Sequence, residues 1–144
     1  DIGIGLNIEK GTLADVPELN DGNYVPAGTT PLYDAIGLSI DSLEEVQGQV
    51  LFIILTDGEE NASQQFERED ILKRISNRTE QGWKFVFLGC DIDAMKQSED
   101  LGIAPGNARS YSRDASQEAM GDVVSATVEY SQRAPRDERG FFEK

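Results

Sequence analysis

The apolar run Val50-Leu51-Phe52-Ile53-Ile54-Leu55, broken off by Thr56-Asp57-Gly58-Glu59-Glu60-Asn61, constrains the fold of this chain more than any other segment. A short unbroken run rich in β-branched and aromatic residues reads as a strand buried on both faces, and such strands belong to parallel sheets covered by helices. In open α/β sheets the crevice beyond the strand carboxyl ends is where ligands sit. That end here carries an aspartate, a glycine suited to a tight turn, and further oxygen-bearing side chains of the kind hard divalent cations take.

The remaining segments alternate between strand and helix. Residues 2–8 alternate apolar residues with Gly and Asn and suggest an edge strand, and residues 11–27, with two prolines, read as a surface loop. Thr30-Pro31 is a helix start, with the hydroxyl residue as N-cap and proline in the first turn. From there Leu32, Ala35, Ile36, Ser39, Ile40, Leu43 and Val46 recur at helical spacing, up to a stop at Gly48. A helix is expected over residues 67–81, with Ile71, Leu72 and Ile75 inward, and a second buried strand over 84–89. A short helix over 92–101, an outer strand over 109–112 and a last helix over 115–132 follow, the last placing Ala119, Val123, Ala126, Thr127 and Tyr130 on one side. This order argues for a parallel sheet with helical crossovers, an α/β, doubly wound, Rossmann-like fold.

Two of these segments carry a resemblance. "AGTTPLYDAIG", then a buried strand, then "LTDGEENAS" resembles the second and third loops of von Willebrand factor A (vWA) domains, and the likeness continues through "WKFVFLGCDIDA" and "LGIAPGNARSY" into the later strands of bacterial and phage vWA proteins. The resemblance implies that Thr30 and Asp57 help to hold a Mg²⁺ or Mn²⁺ at a metal-ion-dependent adhesion site. It also implies a protein-interaction module whose partner, an unnamed protein, offers a carboxylate to the metal's open position. The family's first loop, Asp-x-Ser-x-Ser, has no counterpart before Gly28. Its nearest textual match, Asp114-Ala115-Ser116, reads as a helix N-terminus. The expectation is therefore an N-terminally incomplete vWA-like domain over residues 1–134, a C-terminal tail over 135–144, and weak or absent metal binding. Thr30 and Asp57 alone are two oxygen donors, to which Glu59, Glu60 and Asn61 add candidates.

In the family fold the missing first strand lies beside the strand that ends at Thr56. Without it residues 50–55 become an open edge with an uncovered apolar face, and either residues 2–8 or a second copy must cover it; a homodimer is expected. The two phenylalanines of the tail, Phe141 and Phe142, require a docking surface or disorder.

Composition narrows the function classes. With 13 basic against 27 acidic residues the formal charge is −14, which opposes nonspecific attraction to nucleic acid or anionic membrane. The absence of histidine excludes Ser-His-Asp and Cys-His arrangements and histidine-ligated zinc. Cys90, the single cysteine, cannot form an internal disulfide and reads as a small buried hydrophobe; with no signal peptide and no apolar span, a cytoplasmic location is expected. One enzymatic alternative arises at Phe85-Val86-Phe87-Leu88-Gly89-Cys90 followed by Asp91-x-Asp93, which looks like the acidic loop of a toprim domain, where paired carboxylates hold Mg²⁺ for phosphodiester chemistry. The bland reading of the same pair is that Asp91 and Asp93 cap the next helix.

Overall fold

A strand that stays apolar at every position must be covered on both sides, and in the computed structural model the strand that meets this demand is residues Lys84–Cys90, whose positions from Phe85 onward are all buried. The structure describes Thr12, Ala14 and residues 28–134 and 137–143; the edge strand expected over 2–8 and most of the loop over 11–27 lie outside the described residues. The elements are α1 (Leu32–Ser42), β1 (Leu51–Thr56), α2 (Arg68–Glu80), β2 (Lys84–Cys90), α3 (Ala94–Asp100), β3 (Ala108–Tyr111) and α4 (Ser116–Ser131). The three strands form one parallel sheet in the order β1-β2-β3, with Leu51 opposite Lys84, Thr56 opposite Gly89, and Phe87 opposite Ala108.

Side chains alternate across a strand, so the register sorts the core into two layers. On one face Ile54, Phe85 and Phe87 pack against Leu32, Ile36 and Ile40 of α1, Ile71 and Ile75 of α2, and Ala94 of α3. On the other, Val86 and Leu88 pack against Val123 and Ala126 of α4 and against Phe141. The chain is thus α/β, a parallel open sheet flanked by helices. Among the described residues no helix is long and apolar enough to cross a membrane.

The reading of residues 50–55 as a strand buried on both faces is corrected. Ile54 is buried, but Ile53 and Leu55 are 38% and 54% exposed. Their register partners Val86 and Leu88 are almost fully covered, because α4 and Phe141 lie over β2 and reach β1 only at its start, where Leu51 packs against them. Among the described residues β1 is an edge of the sheet. A sequence of apolar residues records what a strand is able to bury; its place in the sheet decides how much is buried.

Helix limits also shift. The spacing through Val46 runs past the observed end of α1 at Ser42, beyond which Leu43, Glu44 and Val46 continue in turn-type bonds to carbonyls three residues back. The short helix begins at Ala94 and not at Ile92, where Asp93 caps it by accepting from the Lys96 amide at 3.1 Å. α2 is opened by a reciprocal capping box between Glu67 and Asp70.

The C-terminal phenylalanines take the docking alternative. Phe141 is fully buried, its amide donates to Asn107 Oδ1 at 2.6 Å, and its ring stands edge-on to Phe142 at 4.9 Å. The close approach that seats this segment needs glycine on both sides: a Cβ on Gly140 would lie 2.8 Å from Gly106 Cα.

Candidate functional site

The amide groups of the first turn of a helix have no partner within the helix and need one from elsewhere. The expected partner for α1, the Thr30 hydroxyl, does not supply it: the residue at the cap position is Pro31 and no side chain caps from there. Thr30 is therefore not the N-cap. The loop after β1 does this work across the fold instead. Glu60 Oε2 accepts from the Tyr33 amide at 2.9 Å, and Ser63 Oγ accepts from the Asp34 amide at 3.0 Å. Glu60 also accepts from the amides of Ala62 and Ser63 and from the Ser63 hydroxyl. Burial raises its pKa, but these bonds outweigh it and hold the carboxyl below its ordinary value.

The reciprocal anchor is Asp34, which sequence reasoning missed as a site residue. At 3% exposure its carboxylate accepts three loop amides, Gln64 on Oδ2 at 2.8 Å and Gln65 and Phe66 on Oδ1 at 2.9 Å each. Helical spacing sets Asp34 on the side opposite Leu32 and Ile36, where an acidic residue reads as solvent-facing; its burial comes from the loop after β1 folding over that side, which leaves no local signal. Glu60 is likewise a loop organiser, not a spare metal ligand, and Asn61 is engaged too: its Oδ1 accepts from the Thr30 amide at 2.8 Å, and its own amide donates to the Thr30 carbonyl at 3.1 Å.

This lacing brings the start of α1 against the end of β1. Thr30 Oγ1 stands so near Gly58 that a Cβ at that position would lie 2.5 Å from it, which leaves glycine as the residue that admits the hydroxyl. Thr30 is thus beside Gly58, the residue after Asp57, so both sequence-predicted site residues lie at the carboxyl end of β1. Thr56, buried behind them, accepts from the Gly58 amide at 3.2 Å and donates to its carbonyl at 2.8 Å.

Asp57 faces a guanidinium. Its Oδ2 is 4.0 Å from an Arg113 terminal nitrogen, while Arg113 Nε is 3.8 Å from Asp91 Oδ2. Asp91 holds the left-handed φ of +54° just past the end of β2, and its Oδ1 accepts from the Arg113 amide at 3.2 Å. Tyr111 lies in the same corner: burial, then the neighbouring Cys90 thiol, then the Asp57 and Asp91 carboxylates push its hydroxyl pKa up. The edge therefore gathers Thr30, Asp57, Asp91 and Arg113 from the ends of three adjacent strands and the head of α1. Asp91 and Asp93 turn to different partners, Asp93 capping α3 and Asp91 reaching Arg113. Asp114-Ala115-Ser116 is a helix N-terminus, with a short 3₁₀ turn at Arg113–Ala115 leading into α4.

The implied divalent cation does not fit this donor set. Two oxygens, from Thr30 and Asp57, fall far short of an octahedral shell, and a positive side chain already stands at the aspartate. Among the described residues no group of three or more Cys, Asp or Glu side chains is placed to hold a metal. No family model, no curated protein and no solved structure matches the chain.

Proposed function

We propose that this chain is a vWA-like protein-interaction module, not an enzyme, that engages its partner at the carboxyl edge of the sheet around Thr30 and Asp57. The observation that carries this reading is the meeting of Thr30 Oγ1 with the Asp57-Gly58 turn, an arrangement maintained by the Asp34, Glu60 and Asn61 bonds and not by helix capping at Thr30. A loop braced by the buried Asp34 and the half-buried Glu60 holds its polar groups in place, and exposed polar groups on such a loop are where binding residues concentrate. The expected ligand group is a partner's carboxylate. Panning a random peptide library on the whole chain should select peptides carrying Asp or Glu, whose binding weakens at least about tenfold with Thr30→Ala, the loss of about one charge-assisted hydrogen bond from its hydroxyl to the peptide carboxylate. Selection of neutral or basic peptides indifferent to this substitution overturns the reading.

The module is also proposed to pair with a second copy of itself along β1. Residues 50–55 hold no charge in a chain of net −14, and β1 lacks the lysine, proline or bulge that blunts an edge strand. Antiparallel pairing about a twofold at Ile53 sets Ile53 against its own copy, Leu55 against Leu51 and Asp57 against Gln49, so the two Asp57 carboxylates stay apart. It joins the exposed Ile53 and Leu55 of both copies. Sedimentation equilibrium at micromolar concentration should return a dimer that Leu55→Lys converts to a monomer; a wild-type monomer rules out the pairing.

A further inference from the structure

The carboxylates of the candidate edge are met by a cation that the chain itself supplies. Arg113 follows β3 by two residues, and its guanidinium crosses back over the end of β2 to reach the end of β1. Asp91 engages it with both oxygens, Oδ1 toward the backbone amide and Oδ2 toward Nε. The backbone of Arg113 is thereby pinned, while the guanidinium makes only long contacts, at 3.8 and 4.0 Å, on a side chain that is 75% exposed. Exposed pairs at such separations are individually weak and exchange with water.

We propose that Arg113 is a tethered counter-ion that stands against Asp57 in place of a divalent cation and excludes one, a latch on the carboxyl edge. The inference rests on the reading of Thr30 and Asp57 as a vWA-like edge and gives the reason why that edge does not take the metal the resemblance implies: the guanidinium already stands at its carboxylates. The electrostatics set the size of the effect. Even at the dielectric constant of bulk water, a unit positive charge about 5 Å from a divalent ion weakens its binding by about tenfold, and a less polar surface weakens it further. Removing the guanidinium also leaves Asp57 and Asp91 without a counter-charge, which favours any cation that can take both.

Calorimetric titration of the whole chain with Mn²⁺ tests the latch, with thermal melts by circular dichroism establishing that each variant is folded. Wild type should bind in the millimolar range or more weakly. Arg113→Gln and Arg113→Ser should each bind at least about tenfold more tightly, Arg113→Lys should stay near wild type, and Asp57→Ala added to Arg113→Gln should abolish the gain. If neither neutral variant binds more tightly than wild type, the latch is overturned; the edge reading survives that result if Thr30→Ala still weakens peptide binding. A gain that persists with Asp57→Ala places the ion elsewhere and overturns the latch, while the edge reading stands or falls on the peptide result.

Discussion

Replacing Asp34 with alanine is expected to destabilise the fold by about 3–5 kcal/mol, a large part of the stability of a domain of this size. The carboxylate is almost fully buried and accepts the amides of Gln64, Gln65 and Phe66. Alanine removes three part-buried hydrogen bonds to a charged acceptor, each worth about 1–2 kcal/mol, and leaves a cavity where the carboxylate stood. Asp34→Asn separates shape from charge. Its carbonyl oxygen can keep the Gln65 and Phe66 bonds, but its NH₂ then confronts the Gln64 N–H, so the loss should be smaller yet clear. Urea unfolding followed by fluorescence of Trp83 measures both, and an Asp34→Ala variant within about 1 kcal/mol of wild type would contradict the assignment.

The same residue sets an acid limb. Burial raises the Asp34 pKa, but the three amide bonds outweigh it and hold the carboxyl below its ordinary 3.8. A folded value below the unfolded one contributes stability that is fully present above about pH 4 and is lost as the pH falls through the folded value. Stability should therefore fall with acid more steeply in wild type than in Asp34→Ala, and the difference between them should narrow below about pH 4.

The second large effect is expected at Phe141. Its ring is fully buried against Val86 and Leu88 of β2 and Val123 and Ala126 of α4, with Tyr130 at 6.0 Å and Phe142 at 4.9 Å. Truncation to alanine removes most of the ring's contacts and leaves a void that close-packed neighbours only partly fill, at a cost of about 3–5 kcal/mol. The loss should extend to the whole C-terminal segment. Lys84 Nζ donates to the Arg139 carbonyl at 3.3 Å, Arg133 donates to the Gly140 carbonyl at 2.9 Å, and the Phe142 amide donates to the Gly106 carbonyl at 3.1 Å. These bonds depend on the ring holding the segment in place. Limited proteolysis should cut Phe141→Ala at Arg139 far faster than wild type, while Phe142→Ala, whose ring is only partly buried and stacks under the Arg109 guanidinium, should behave closer to wild type.

The sequence by itself determined the order of strands and helices from residue 31 onward, because hydrophobic periodicity and capping chemistry act within a few residues of one another. The helix of Ile71 and Ile75, the strand of Phe85 to Cys90 and the helix of Ala119, Val123 and Ala126 were legible for that reason. Thr30 and Asp57 were legible as one site only through likeness to a known pattern of loops. Their meeting is decided by tertiary structure, through the bonds of Asp34, Glu60 and Asn61 that span about thirty residues of chain and leave no local periodic mark. Arg113 was invisible for the same reason: it joins Asp57 and Asp91 because β1, β2 and β3 end side by side, which no stretch of sequence states. The uneven burial of β1 and β2 is also a tertiary fact. Both runs are apolar, and among the described residues α4 and Phe141 seal Val86 and Leu88 and meet β1 at Leu51, while Ile53 and Leu55 stay exposed.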